Sequence, residues 1–205
     1  MKKILAIGGA VIKTAREELF EAINQNKVEM LIHNGGSIFH DFQLATEDLD
    51  SHSHPIDELL EDFSVNESAS WLVRGWVRGN LAPENSITGF CQSKGIHVLM
   101  FTGMACDFWQ MYGHKTHWSE LGERAYYDFH ILQNRFNESF HYVCMGSAVI
   151  HPEVFLKALA GVKKRPEFTA DVVDFLDMYR PRTRVAKYGT YYKMTHTEYF
   201  RKVLK

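Results

Sequence analysis

Cysteine is scarce in this chain, charge of either sign is nearly balanced, and no long apolar run occurs. The three cysteines among 205 residues, Cys91, Cys106 and Cys144, are odd in number, far apart and set in apolar stretches. That pattern points to buried free thiols in a reducing cytoplasm, not to a disulfide framework. A formal charge of −2 gives no support to a nucleic-acid or anionic-membrane partner. Local basic runs, "KKRP" (163–166) and "RPRTR" (180–184), read as solvated surface. No segment approaches a membrane span. The opening "MKKILAIGGAV" has lysines before apolar residues, but the run is short and "KTAREELFE" follows at once, so it is a first strand and not a leader. Internal repeats, low-complexity tracts and a convincing linker are missing too. What remains is a folded cytoplasmic protein with 45% apolar and 13% aromatic residues, enough for one compact domain over 1–205.

Five short, nearly continuous apolar runs predict strands: "ILAIG" (4–8), "VEMLIH" (28–33), "IHVLMFT" (96–102), "HYVCMGSAVI" (141–150) and "TRVAKY" (183–188). Helical patterns lie between them. One starts at Thr14, one spans "ENSITGFCQSKG", the longest opens at Ser119, and one carries Pro152 in its first turn and stops at Gly161. "TADVVDFLDMY" is a further helical candidate, which would align Asp171, Asp174 and Asp177 along one side. Strands alternating with helices imply α/β architecture, a Rossmann-like parallel sheet with helices on both faces. Residues 48–83, acidic and then aromatic and basic, lack a strand and are expected to form a helical insertion.

Ligands in such sheets bind at the carboxyl ends of strands. Four ends here share a character: "IGGAVIKTA", "HNGGSIFHD", "FTGMACD" and "MGSAVIHPE". Each sets glycine beside a small or hydroxyl residue, which lets a backbone approach a ligand and leaves N–H groups for phosphate. A nucleotide-sized ligand is expected, although the order G-x-G-x-x-G is absent. The candidate cofactor residues are Gly9, Gly35, Gly36, Ser37, Thr102, Gly146 and Ser147.

The run "LAIGGAVIKTAREELFEAINQNKVEMLIHNGGSIFHD" resembles the NAD-binding core of the deoxyhypusine synthase family, whose second strand leads into "T-G-A-N-L-Y-H-D" or a near variant. Gly35 through Asp41 fall on the last seven of those positions. "NSITGFCQSKGIHVLMFTGMACDFWQM" and "AYYDFHILQNRFNESFHYVCMGSAVIHPEVFLKAL" resemble later family segments in the correct order. The resemblance implies a Rossmann-like sheet, NAD at these strand ends, a homo-oligomer such as a tetramer, and a small-molecule amine substrate such as spermidine. Its aminobutyl group would be held as an imine on a lysine and passed to a protein lysine or a small amine.

Three features depart from the family. Thr102-Gly103 stands where members have Thr-Asp, with an acid only at Asp107; Met145-Gly146-Ser147 stands where they have three glycines; and the lysine motif S-W-G-K is missing. An imine-forming lysine must be desolvated, and Lys187, in an apolar run, is the candidate; the plain alternative is a solvent-exposed edge lysine. His40, with Asp41 beside it, and Asp107 are the acid/base candidates. His151 is either a second pocket histidine or a helix N-cap. The histidines of "SHSH" and "GHKTH" raise a metal-dependent hydrolase as an alternative, but no H-E-x-x-H or cysteine pair accompanies them, and no metal ligands are assigned. A catalytically silent nucleotide-binding protein on the same fold is the other alternative.

Overall fold

The computed structural model describes residues 2–46, 63–102, 115–163 and 166–204, leaving aside the side chains of 63–68 and 115–117. Asp107, Cys106, Gly103 and the histidines at 52, 54 and 114 lie outside the described residues, as does the first part of the expected insertion.

In chain order the elements are β1 (Lys3–Ile7), α1 (Gly9–Thr14), α2 (Arg16–Asn24), β2 (Val28–Asn34), α3 (Gly35–Thr46), α4 (Phe63–Val77), α5 (Ile87–Ser93), β3 (His97–Phe101), α6 (Lys115–Arg135), β4 (Phe140–Met145), α7 (Ile150–Ala160), β5 (Phe168–Val173), β6 (Tyr191–Tyr192) and α8 (His196–Lys202). A π-helical turn (Pro181–Val185) and a 3-10 turn (Ala186–Tyr188) precede β6. The strands form one sheet in the order β3-β2-β1-β4-β5-β6, and every pairing is parallel. The architecture is therefore the expected α/β one, in the doubly wound strand order that reverses direction beside β1.

Both faces of the sheet are covered, which is why its strands are apolar without interruption. Leu5, Ile7, Leu31 and Val143 face a layer holding Leu19 and Ile23 of α2, Ile38 and Phe42 of α3, Val73 and Trp76 of α4, Ile87 of α5, and Tyr199 of α8. Ile4, Ala6, Ile32 and Tyr142 face the other layer, with Leu132 of α6 and Phe155 of α7. An aromatic cluster anchors that second layer: Phe136 stacks on Phe140 with centroids 4.2 Å apart, and Tyr142 lies 4.7 Å from Phe155. Cys91 and Cys144 are buried free thiols.

The edge strand β3 is closed by charge. Asp128 on α6 accepts the Met100 N–H at 2.8 Å, and Arg124, one turn earlier, donates to the Val98 carbonyl at 3.0 Å. The two side chains pair with each other at 2.9 Å, so together they satisfy backbone groups that an adjoining strand would take. Burial raises the Asp128 pKa even though Arg124 opposes it.

Several expected elements are corrected. The helix after β1 begins at Gly9, not Thr14, and breaks at Ala15, where φ is −145°. "TADVV" is strand β5, not a helix: Ala170, Val172 and Val173 are buried in the two core layers, so the run is covered on both faces. Asp171, Asp174 and Asp177 therefore do not form a helical stripe. "TRVAKY" is helical turn and not strand, because the segment crosses back beneath β5 to reach the two-residue β6. The fourth strand stops at Met145, and the long helix begins at Lys115 and not Ser119. α8 was not anticipated, although its start carries the T-x-x-E signature: Thr195 and Glu198 form a reciprocal capping box.

Within the described part of residues 48–83, α4 packs on α3. It presents Trp76 to Phe42 at 6.2 Å and to the Arg124 guanidinium at 4.3 Å. The basic residues of "RPRTR" are engaged on the surface, Arg180 and Arg184 with Glu153 and Arg182 with Asp177.

Candidate functional site

The parallel register brings the strand ends into line: Ile7 lies beside His33 and Met145, Asn34 beside Phe101, and Met145 beside Val173. The next residues, Gly8, Gly35, Thr102, Gly146 and Asp174, therefore share one rim. At its centre β1 sends its helix to one side and β4 sends its helix to the other. Ligands of open α/β sheets enter at such a reversal.

Backbone, not side chain, builds that centre. The Gly8 N–H donates to the Met145 carbonyl at 2.8 Å, and the Gly146 N–H donates to the Val173 carbonyl at 3.3 Å. A Cβ on Gly8 would collide with the Gly146 carbonyl oxygen, so the seam admits only glycine there. Gly146 has φ +59°, a left-handed conformation that favours glycine. Beside the seam, a Cβ on Gly9 would lie 3.0 Å from the His40 ring and 3.4 Å from the Gly36 carbon. Gly9, Gly36 and His40 thus meet where α1 crosses the start of α3.

The N-cap of α1, Gly8, offers no side-chain acceptor to its first turn. At α3, Asn34 Oδ1 accepts the Ser37 N–H and Ser37 Oγ accepts the Asn34 N–H, both at 2.9 Å. This reciprocal cap uses the third N–H of the helix and leaves those of Gly35 and Gly36 ahead of it. At α7, Ser147 Oγ accepts the His151 N–H at 3.3 Å, which leaves its own hydrogen for a further acceptor.

Ser37 is fully buried, and its hydroxyl serves the cap and His33, whose Nδ1 lies 2.9 Å away. Thr102 sits at the rim after β3, partly exposed. His40 is buried, with Nδ1 3.2 Å from Gln43 Oε1 and its ring edge against Gly9. His40 and Asp41 lie inside α3, which begins at Gly35. Asp41 serves a different helix: it accepts the Ile87 and Thr88 N–H groups at 2.7 and 2.9 Å and the Thr88 hydroxyl at 2.7 Å, capping α5. Burial raises its pKa, opposed by those donors and by the nearby Arg16 charge. Lys187 is exposed, its ammonium 4.7 Å from the Tyr188 ring centre. That ring packs on Phe168 at the start of β5, toward the opposite rim. The structure brings Gly9, Gly35, Gly36, His40, Gly146 and Ser147 together, and Lys187 is not with them.

Two buried histidines, His33 and His196, escaped the sequence reading, and a third, His151, is not the helix N-cap. The Thr88 hydroxyl donates to Asp41, so it accepts from His33 Nε2–H at 3.2 Å, and His33 is a neutral imidazole. Burial, assisted by the neighbouring His151, lowers its pKa to about 3. His151 donates Nε2–H to the Ile7 carbonyl at 2.9 Å and sits within α7, whose N-cap is Val149; burial lowers its pKa to about 4. His196 of α8 covers Gly146, with Nε2 3.1 Å from the place a Cβ would take, and its Nδ1 is 3.2 Å from the Thr14 hydroxyl. The capping signature "THTE" marked that helix start; nothing local marked its contact with Gly146. No group of three metal-ligating side chains occurs among the described residues.

No protein-family model and no curated protein matches the sequence. Solved structures do match. AgrE, in a ternary complex with ornithine and NAD+, superposes with a TM-score of 0.62 at 13% identity, covering 99% of this chain and 29% of AgrE. A conserved protein assigned as LOR/SDH from Methanococcus maripaludis S2 gives 0.61 at 9% identity, over 99% of this chain and 60% of that one. A protein assigned as a deoxyhypusine synthase from Entamoeba histolytica gives 0.57 at 9% identity, over 98% and 72%. This chain has the deoxyhypusine synthase-like fold. At such identities the fold is what is shared, and the chain spans under a third of the length of AgrE.

Proposed function

We propose that the chain binds NAD across the β1/β4 seam and supports NAD-dependent chemistry on an amine-bearing substrate. The observation that carries this reading is the seam itself: glycine backbones of β1 and β4 pressed together at the point where the sheet order reverses. A dinucleotide needs a surface its backbone can approach and N–H groups for its pyrophosphate. Gly9, Gly35 and Gly36 would supply those N–H groups, and Gly146 and Ser147 would line the other side. One departure from the usual dinucleotide site is that β2 ends in His33-Asn34, without an acid for the ribose. Bound there, NAD would accept a hydride from the substrate. His40, beside Gly9, would hold or move a proton, and Asp107 remains part of the proposal.

The amine substrate is supported from two sides: AgrE was solved with ornithine as well as NAD+, and the sequence resembles enzymes that dehydrogenate spermidine. Aminobutyl transfer is the finer form of the proposal, and Lys187 would be its imine lysine. The exposed position of Lys187 and the missing S-W-G-K motif favour a second reading, nucleotide binding without that transfer. Among the described residues no helix is long and apolar enough to cross a membrane. A cytoplasmic setting and assembly into a homo-oligomer, a tetramer included, belong to the same proposal.

Calorimetric titration with NAD tests the site. Wild type is expected to bind NAD, and Gly9→Val, whose side chain would press on the His40 ring and the Gly36 backbone, is expected to lose binding; a urea melt of the variant separates loss of the site from loss of the fold. Equal heats for both proteins would sink the seam as the site. Incubation with NAD and spermidine or ornithine, read as NADH absorbance, then separates turnover from silent binding.

A further inference from the structure

At the opposite rim three strands contribute one connected set of side chains. Lys3 of β1 pairs in register with His141 of β4, and Asp171 follows on β5. His141 Nε2 lies 2.6 Å from Asp171 Oδ2, and His141 Nδ1 lies 3.0 Å from Lys3 Nζ. The proton positions follow from the partners. Asp171 is an acceptor, held by the Thr190 N–H at 2.8 Å on its other oxygen. His141 therefore carries hydrogen on Nε2, and its Nδ1 lone pair faces the lysine. Lys3 is partly exposed, so its amine is linked to this pair and still reachable from solvent.

We propose that Lys3 is a base-assisted reactive amine that accepts an acyl group from a small activated donor of the acyl-phosphate class. The ammonium of Lys3 passes a proton to His141 Nδ1, and the resulting imidazolium is stabilised by Asp171. The free amine attacks the acyl carbon, a C–N bond forms, and the C–O bond to phosphate breaks. Inorganic phosphate leaves with the second amine proton, Lys3 becomes a neutral amide, and His141 returns its proton to solvent. The charge environment agrees with this assignment. Burial holds the Lys3 pKa below its ordinary value against the pull of Asp171. Burial would raise Asp171, but its bonds to His141 and Thr190 and the charge of Lys3 keep it below the usual carboxylate range. Tyr199 of α8 also feels the Asp171 charge, and Lys27, whose backbone carbonyl accepts the Lys3 N–H at 2.9 Å, turns its ammonium to the Leu204 carbonyl.

The test uses the full chain with limiting acetyl phosphate and site-resolved mass spectrometry, taking exposed Lys157 and Lys193 as internal references. Lys3 is expected to be acetylated at least ~10-fold faster than either, and His141→Gln is expected to bring its rate down to theirs. An ammonium merely pinned by His141 behaves in the opposite way: Lys3 reacts more slowly than the references, and His141→Gln speeds it up. That result would overturn the proposal. A pH series on wild type keeps the test independent of the variant's folding. The Lys3 rate should level off at lower pH than the reference rates, and superimposable profiles would also overturn it.

Discussion

The two rims of the sheet are built from different materials. At the carboxyl rim the chain brings backbone to backbone, Gly8 against Gly146 and Gly9 against Gly36, with neutral histidines behind. At the amino rim it joins the strands through charged side chains, Lys3 to His141 to Asp171. Close backbone approach leaves N–H groups for a ligand but tolerates no added atom. Side-chain linkage tolerates substitution and leaves an exposed functional group. A seam of the first kind should fail abruptly when altered, and one of the second kind gradually.

The largest effect is expected at Gly8. A Cβ there meets a carbonyl oxygen and not a flexible side chain, so Gly8→Ala should cost about 3 kcal/mol or more. A fall in the urea midpoint checks this, and an unchanged midpoint would show that the seam can open.

Acid should act next, through the histidines behind the carboxyl rim. His33 and His151 are held at about 3 and about 4, against an ordinary value of 6.5. Below pH 6.5 the unfolded chain binds protons that the folded chain refuses, so stability is full above that pH and falls toward pH 4. At ~1.4 kcal/mol per pKa unit the two groups together account for several kcal/mol. Urea melts at stepped pH should show the loss, and His33→Gln should flatten part of it.

Asp41→Ala leaves the Ser86 cap of α5 in place but deprives the Thr88 hydroxyl and two first-turn N–H groups of their acceptor, which should cost about 2–3 kcal/mol in the same melts. Asp171→Asn at the amino rim should cost only about 1 kcal/mol, because its partners are partly solvated. Smallest of all, Lys187→Ala should stay within about 0.5 kcal/mol in stability and leave NAD titration unchanged. A lost NAD heat for that variant would bring Lys187 back to the site.

The first four strands and the glycines at their ends could be read locally, because a strand buried on both faces must be apolar throughout and a turn against another backbone must be glycine. The region after residue 160 could not. Val172-Val173 carries no periodicity that separates a short helix from a strand, and only pairing with β4 decides the matter. Ser37 shows the same limit within the site. A serine after two glycines at a strand end suits a phosphate contact, yet here it closes a reciprocal cap with Asn34. Asp41 caps a helix more than forty residues away, a partner that no local pattern could indicate.

By itself the sequence determined the fold class and one rim of glycine turns, since hydrophobic periodicity and glycine placement are local properties of the chain. Tertiary structure alone decided which ends meet. It pressed Gly8 onto Gly146, set His196 over that seam from the far end of the chain, gave Asp41 to α5, and carried Lys187 toward the opposite rim. The reason is that a parallel sheet joins strands distant in sequence, so the neighbours of any rim residue are fixed by strand order and register and not by the residues beside it.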